Sequence, residues 1–262
     1  AGPGRETAAR VSDLAVVGLK ADLPGAGGRR GGGGSFPWVV LQGDTEPKGG
    51  DRVPDGATPV RPARPRGFYT PAMSRKSDRT RNRIVQAANR LFYRRGYNRT
   101  SFSDVVDAAG VPRGNIYYYF KTKDDVLHAA VEYRLDVIRS MLEEWNRKFA
   151  DPADRLKRFL QVVANSRHAM AQWGCPMGTL NTELGKDQTD LRADARRMFD
   201  LFAGWMTEQF AALGHEEGAR DLALRLLARA QGLTVLSHIY ADPDFLAREA
   251  QELERWVDSL RR

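Results

Sequence analysis

The spacing of apolar residues predicts helices along most of the chain after residue 77. Within 78–95 the apolar positions recur three and four residues apart, which places them in one stripe along a helix. No segment shows the apolar and polar alternation of a half-buried strand. The predicted fold class is therefore all-α, with helices at 78–95, 101–109, 113–120, 124–149, 152–172, 188–213, 217–240 and 243–261.

Cap and turn residues mark the boundaries of the short helices. Ser101-Phe-Ser-Asp104 and Thr122-Lys-Asp-Asp125 are capping boxes, in which a hydroxyl and a carboxylate satisfy the free amides at a helix start. Gly110-Val-Pro112 ends one short helix before the next begins. Two short helices joined by a tight turn that contains Gly predict a helix-turn-helix motif from Ser101 to Phe120.

The net charge of +8 is concentrated in one segment. Residues 73–123 carry 12 Lys and Arg against 3 Asp and Glu, whereas residues 124–262 carry 19 against 23. A small basic head on a mildly acidic body is the charge distribution of a nucleic-acid-binding protein with a second domain. We therefore predict a DNA-binding domain at 73–123 and a larger helical domain at 124–262.

The first 72 residues are predicted to be disordered. They contain 15 Gly and 9 Pro, and they cannot bury enough apolar surface to offset the entropy of ordering. The first methionine of the chain is Met73, which favours translation starting there, with 1–72 as read-through of upstream sequence. The alternative is a disordered arm whose arginines add non-specific affinity for DNA.

The second helix of the motif supplies candidate contacts to DNA. Its first residues, Arg113, Gly114 and Asn115, are placed to reach base edges in the major groove, where Arg can pair with guanine and Asn with adenine. The alternative is that they form a solvated helix start. Outward-facing tyrosine hydroxyls among 117–119 suit phosphate oxygens. Lys123, in the first turn of the next helix, is a further phosphate contact.

A series of short motifs then points to a family. They are Arg83-Ile-Val-Gln-Ala-Ala88, Leu91-Phe92, Gly96-Tyr97, Thr100-Ser101, Ala109-Gly-Val-Pro112, Gly114-Asn-Ile-Tyr-Tyr-Tyr-Phe120 and Lys123-Asp-Asp-Val-Leu127. With them, the segment 84–129 resembles the DNA-binding domain of the TetR family of bacterial repressors. The resemblance implies a homodimer whose heads sit on all-α ligand-binding domains. It also implies phosphate contacts at Thr100, Tyr117, Tyr118 and Lys123, whereas Tyr119 replaces a His that many relatives carry.

The last two helices are the predicted dimer interface. In the final helix, Leu246, Ala250, Leu253, Val257 and Leu260 are spaced four, three, four and three, a seam that fits a partner helix. The preceding helix is apolar on most of its circumference, with small residues and Leu227 on one side and bulkier residues on the other. The alternative is that both faces pack within one chain, and the resemblance favours the dimer.

Aromatic and methionine residues in the body predict either core or a ligand pocket. Most of them are more simply core, although some could line a cavity for a small apolar or aromatic ligand. The four histidines lack metal-ligand spacing, and no cofactor motif is present, so we expect neither a metal nor a cofactor. The pocket candidates are Trp173, Met177, Met198, Phe199, Phe202, Trp205 and Met206.

Cys175 is the only cysteine of the chain, so an intramolecular disulfide is excluded. It lies in Trp173-Gly-Cys-Pro-Met-Gly-Thr-Leu180, which resembles the Gly-Cys-x-x-Gly-Asn-Leu element of repressors that respond to electrophiles and reactive chlorine, with Thr179 in place of Asn. A thiol just before a helix N-terminus would have its thiolate favoured. The alternative is an inert core thiol, so we treat Cys175 as a candidate sensor of electrophiles or oxidants.

The predicted function is a transcriptional repressor, and the protein is not expected to be an enzyme. It would bind a palindromic double-stranded DNA operator as a homodimer and leave it when a small inducer binds or an electrophile modifies Cys175. The alternative is an architectural DNA-binding protein that acts through a protein partner. No apolar run is long enough to span a membrane, so we expect a cytoplasmic protein of the bacterial nucleoid.

Overall fold

The computed structural model describes residues 75–185 and 188–261. Residues 1–72, and with them the prediction of disorder, lie outside this range. No strand occurs in the described residues, which confirms the all-α class. None of the helices described is long and apolar enough to cross a membrane. The helices are α1 Arg75–Arg95, α2 Phe102–Ala109, α3 Arg113–Tyr119, α4 Lys123–Lys148, α5 Pro152–Asn165, α6 Arg167–Trp173, α7 Gly178–Glu183, α8 Thr189–Ala212, α9 Ala219–Tyr240 and α10 Pro243–Asp258.

Helices α1–α3 form the head, and their ends follow from local chemistry. Gly96 ends α1 with a φ of 86°, and Gly110 ends α2 with a φ of 59°, both in the left-handed region that favours glycine. The capping boxes predicted at Ser101 and Thr122 are both present. Ile116 and Phe120 are buried, and the guanidinium of Arg81 on α1 lies over the Phe120 ring. The head is thus one long and two short helices, and its buried residues join the same apolar core as those of the body.

Helices α4–α10 form the body, in which α8 packs against α4, α5 and α9. The single helix predicted at 152–172 is two helices, because the chain turns at Ser166, whose hydroxyl donates to the carbonyl of Val162 at 2.8 Å. The six-residue helix α7 was missed by the sequence patterns, since it is too short to show a period. Both differences lie between Ser166 and Glu183, the part of the body that contacts the head.

The apolar seam predicted to join two protomers lies inside the chain instead. Helix α10 packs this side against α5, and α9 turns its side of small residues toward α6 and α8. This packing corresponds to the alternative in which both helices bury their seams within one chain. The residues placed in the core in this way are Leu227, Leu246, Ala250, Leu253 and Val257, with Leu260 half-buried beside them.

The exposed apolar residues of the body lie on the other side of α9. Leu224, Val235, Leu236 and Ile239 are all more than 40% exposed. Between them lies Gly232, where an added Cβ would meet no atom within 4 Å. Their spacing of three, four and eleven residues puts them on one side of the helix. Of the last two helices, α9 therefore carries the exposed apolar surface, whereas the apolar seam of α10 is buried.

Candidate DNA-binding surface and head–body junction

The start of α3 is the most open part of the head. Arg113, Gly114 and Asn115 are exposed, and an added Cβ at Gly114 would meet nothing within 4 Å. The guanidinium of Arg113 lies 3.7 Å from the carboxylate of Asp107, an exposed pair that a stronger partner can replace. The predicted base-contacting residues therefore share one accessible surface.

The three tyrosines of α3 differ in how far their side chains are exposed to solvent. Tyr117 and Tyr118 are 55% and 73% exposed, whereas Tyr119 is only partly exposed. The ring of Tyr117 packs on Phe102 of α2, and the ring of Tyr118 packs edge-on against Tyr119. These contacts fix the rings and leave the two predicted phosphate-binding tyrosines at the surface.

The other two predicted phosphate contacts have partners within the protein. Thr100 is only 1% exposed, its hydroxyl donates to the carbonyl of Gly96 at 2.6 Å, and its amide donates to Tyr97. Thr100 therefore secures the α1–α2 turn and does not present a hydroxyl to DNA. The Lys123 ammonium donates to the carbonyl of Tyr97 at 3.0 Å and lies over the Tyr97 ring. Two of its three donors stay available to a phosphate.

Two family models match the chain and together span more than half of it. Residues 84–130 match bacterial regulatory proteins of the tetR family, and residues 152–252 match the C-terminal domain of LmrA/YxaF-like transcriptional regulators. The chain belongs to the TetR family. It is a helix-turn-helix, DNA-binding transcriptional regulator.

Individual relatives agree with this assignment along head and body. LmrA of Bacillus subtilis is 26% identical over 161 residues, which cover 60% of this chain and 86% of LmrA. An HTH-type transcriptional regulator in the lacX 3′ region of Lactococcus lactis is 27% identical over 172 residues, which cover 64% of this chain and 87% of that protein.

Solved TetR structures share the fold. A TetR regulator from Chloroflexus aurantiacus superposes with a TM-score of 0.61 at 26% identity, covering 70% of this chain and 96% of that one. The reduced form of E. coli NemR superposes with a TM-score of 0.59 at 20% identity, covering 68% and 96%. The second likeness is one of fold alone.

Most of the predicted pocket residues of this TetR protein are buried in the body. Phe202 packs on Phe159, Trp205 packs on Trp145, and Met177, Met198 and Met206 are almost fully buried. Trp173 lies partly exposed against Tyr93. These side chains are therefore packed against one another in the single chain.

A cavity of about 740 Å³ lies instead between the α1–α2 turn, α7 and α9. Of the predicted pocket residues, Phe199 lies on its wall, and Cys175 does as well. Its composition is apolar toward α9 and polar toward the head. The lining residues are Arg95, Gly96, Arg99, Gly174, Cys175, Gly178, Thr179, Asn181, Thr182, Glu183, Phe199, Gln231, Val235, His238 and Ile239.

The loop that carries Cys175 is bound to the head and to α4 on both sides of the thiol. Before it, the hydroxyl of Tyr93 donates to the carbonyl of Gly174 at 3.0 Å. After it, Arg134 of α4 donates to the carbonyl of Pro176 at 2.9 Å. The thiol is 5% exposed, and the Gln231 side chain donates to it at 3.4 Å. Cys175 therefore sits on a firmly held loop at the cavity wall.

Arg134 is a residue of this junction that sequence patterns did not single out. It is 2% exposed, and its guanidinium donates to the side chain and carbonyl of Asn89 as well as to Pro176. No carboxylate among the described residues forms an ion pair with it. Burial lowers the pKa of Arg134 to about 10, and nearby Tyr93 and Cys175 oppose that change. A buried cation held only by neutral groups ties α1, α4 and the Cys175 loop together.

Proposed function

We propose that this TetR-family protein is a homodimeric repressor that binds a palindromic operator and is released by a small molecule. The observation that carries the proposal is the exposed start of α3, where Arg113, Gly114 and Asn115 share one open surface of the basic head. In a dimer, two such helices would enter successive major grooves about 34–36 Å apart.

The first test is a titration of the protein against its own promoter region. Arg113→Ala should weaken specific binding by about 1–3 kcal/mol and relax the preference at one base pair, because a bidentate contact to guanine is lost. Arg220→Gln removes an equally exposed arginine at the far end of α9 and is the matched control. Equal binding of a palindromic site and a scrambled site by the unaltered protein would contradict the proposal.

The exposed apolar side of α9 supports the proposed dimer. Leu224, Leu236 and Ile239 are bulky, and Ala228 and Gly232 between them permit a second helix to approach closely. A two-fold axis would pair this surface with itself, as closed dimers require. We therefore assign the protomer contact to α9 in place of the seam of α10.

Release is proposed to act through the cavity or through Cys175 on its wall. An apolar molecule could bind in the cavity, and an electrophile that enters it would reach the thiol. When the thiol adds to an activated alkene, the sulfur forms a bond to one alkene carbon and the thiol proton is transferred to the other. The modified loop could not keep its bonds to Tyr93 and Arg134 unchanged, which links the reaction to the head.

N-ethylmaleimide separates these two routes. If Cys175 is the sensor, the reagent should lower operator affinity of the unaltered protein and leave Cys175→Ser unaffected, while both bind DNA equally well before treatment. A serine variant that is still released would exclude the cysteine route and leave ligand binding. Tight operator binding that no small molecule relieves would favour an architectural protein that acts through a partner.

A further inference from the structure

A carboxylate from the body is bound to the backbone of the head. Glu183, the last residue of α7, accepts hydrogen bonds from the amides of Tyr97 at 2.8 Å and Asn98 at 2.7 Å. These amides belong to the turn between α1 and α2, where Gly96 leaves space that a Cβ would fill at 2.7 Å from the carboxylate. Charge-assisted bonds of this kind are about twice as strong as neutral ones.

The same short segment runs along the cavity. Between the Cys175 loop and Glu183 the chain forms only α7, and Gly178, Thr179 and Thr182 of this helix line the cavity together with Glu183 itself. The cavity wall and the bond to the head are thus separated by less than two helical turns. A molecule that displaces α7 moves the Glu183 carboxylate with it.

The two ends of the cavity differ in chemistry. Toward α8 and α9 its wall carries the apolar side chains of Phe199, Val235 and Ile239, with Gln231 and His238 of α9 beside them. Toward the head it is lined by Arg95 and Arg99. Both arginines are exposed, and within 75–185 and 188–261 no carboxylate lies within ion-pair distance of either. Among the lining residues, two arginines against the single carboxylate of Glu183 leave this end with a positive charge. The Asp104 carboxylate lies outside the lining, and Arg95 contributes to lowering its pKa.

We propose that the cavity binds an amphipathic anion and that its occupancy weakens DNA binding by withdrawing Glu183 from the α1–α2 turn. The apolar part of the ligand would lie against Phe199, Val235 and Ile239. Its carboxylate or sulfonate would lie between Arg95 and Arg99 and repel the carboxylate of Glu183. The proposal rests on the repressor function above and specifies its effector class and its route to the head.

The coupling follows from which state the ligand prefers. With Glu183 on the turn, an anion in the cavity lies beside a like charge, whereas with Glu183 withdrawn it lies beside two arginines alone. The ligand therefore binds the withdrawn state more tightly and shifts the population toward it. Without Glu183, the two turn amides lose their acceptor, and the turn that places α2 and α3 is free to adopt another geometry.

Ligand binding is tested first without DNA, using decanoate, decan-1-ol and decyltrimethylammonium by titration calorimetry. Decanoate should bind most tightly, because only it carries the negative charge. Arg95→Gln and Arg99→Gln should each weaken decanoate about threefold, as expected for a partly exposed ion pair, while Arg220→Gln leaves it unchanged. Equal binding of decanoate and decan-1-ol, or decanoate binding that ignores both variants, would overturn the assigned ligand class.

Coupling to the head is tested with Glu183→Asp and Glu183→Gln. Glu183→Asp keeps the negative charge, but its side chain is one methylene too short to reach both amides. If Glu183 acted on DNA only through its long-range charge, this variant would bind the operator as tightly as the unaltered protein. The bond to the turn predicts about tenfold weaker operator binding for both variants, with little further release by decanoate. Glu143→Gln, an exposed change on α4, is the control. Full operator affinity together with full decanoate response in both Glu183 variants would overturn the coupling.

The two proposals fail in different ways. If the unaltered protein does not bind its promoter region, the repressor function fails, and the calorimetry still decides the ligand class. If it binds the operator and decanoate binds as described without affecting the operator, the repressor function stands and the coupling through Glu183 is excluded.

Discussion

At the scale of single residues, the junction between head and body depends on polar groups that are buried among apolar side chains. Asn89 and Tyr93 interrupt the apolar stripe of α1, and both are buried where they meet the Cys175 loop. Burial raises the pKa of the Tyr93 phenol far above its ordinary value, so it remains a hydrogen-bond donor at any physiological pH. These side chains attach α1 to the body by buried hydrogen bonds in addition to its apolar contacts.

Tyr93→Phe should destabilise the protein by about 1–2 kcal/mol. The substitution keeps the ring but removes the donor to the carbonyls of Gly174 and Ala169, and the first of these bonds is buried. The free energy of unfolding in urea measures the effect. Tyr240→Phe, at a site 75% exposed, is the matched control and should change it by less than about 0.5 kcal/mol. Equal stability of the two variants would show that the buried bond contributes nothing.

At the scale of elements, the helices that place the DNA-binding surface are defined by their caps. Asp125 accepts from the amides of Lys121 and Thr122 at 2.9 Å each, and its own amide donates to the Thr122 hydroxyl. The bonds to Thr122 and Lys121 hold the pKa of the Asp125 carboxyl below its ordinary value. The start of α4, which carries Lys123, is therefore fixed by a carboxylate.

Asp125→Asn should lower the stability of the protein at neutral pH and make that stability less dependent on pH in the acid range. A carboxyl whose pKa is lower in the folded state stabilises that state above its ordinary pKa, near 3.8. The contribution is lost as pH falls below that value, so the difference between the two proteins should shrink there. Urea unfolding midpoints between pH 7 and pH 3 measure this. Glu143→Gln on the same helix should show no such convergence, and a constant difference for Asp125→Asn would contradict the assignment.

At the scale of the whole molecule, α9 has two roles on its two sides. Its buried side packs against α6 and α8, while Leu224, Val235, Leu236 and Ile239 remain exposed on the other side, and Val235 and Ile239 also line the cavity. A partner protomer on this side would therefore lie against the rim of the cavity. Ligand, protomer contact and head would then meet within one region of the protein.

Leu236→Glu should convert the protein to monomer. Leu236 is 42% exposed in the single chain, so the change leaves the fold intact, but it would place two like charges at a self-complementary contact. Sedimentation velocity at micromolar concentration measures the mass. Gln251→Glu, on the exposed side of α10, adds the same charge at the other candidate helix and should remain dimeric. Monomer formation by Gln251→Glu alone would return the interface to α10.

The sequence by itself determined the local structure of the head, because each feature there depends on residues close together in the chain. The apolar stripe of α1, the two capping boxes and the glycines at positive φ are all set within one or two helical turns. The motifs that identify the family lie in the same segment. The exposed positions of Arg113, Tyr117 and Tyr118 follow from that local order.

Only the tertiary structure decided which surfaces meet, because periodicity gives a side of a helix but not its neighbour. The seam of α10 fits a second protomer and α5 equally well by spacing, and α5 occupies it. The aromatic cluster near α8 fits a pocket and a core equally well, and it is core. The Arg134 cation and the Glu183 carboxylate took their roles from partners 42 to 45 and 85 to 86 residues away.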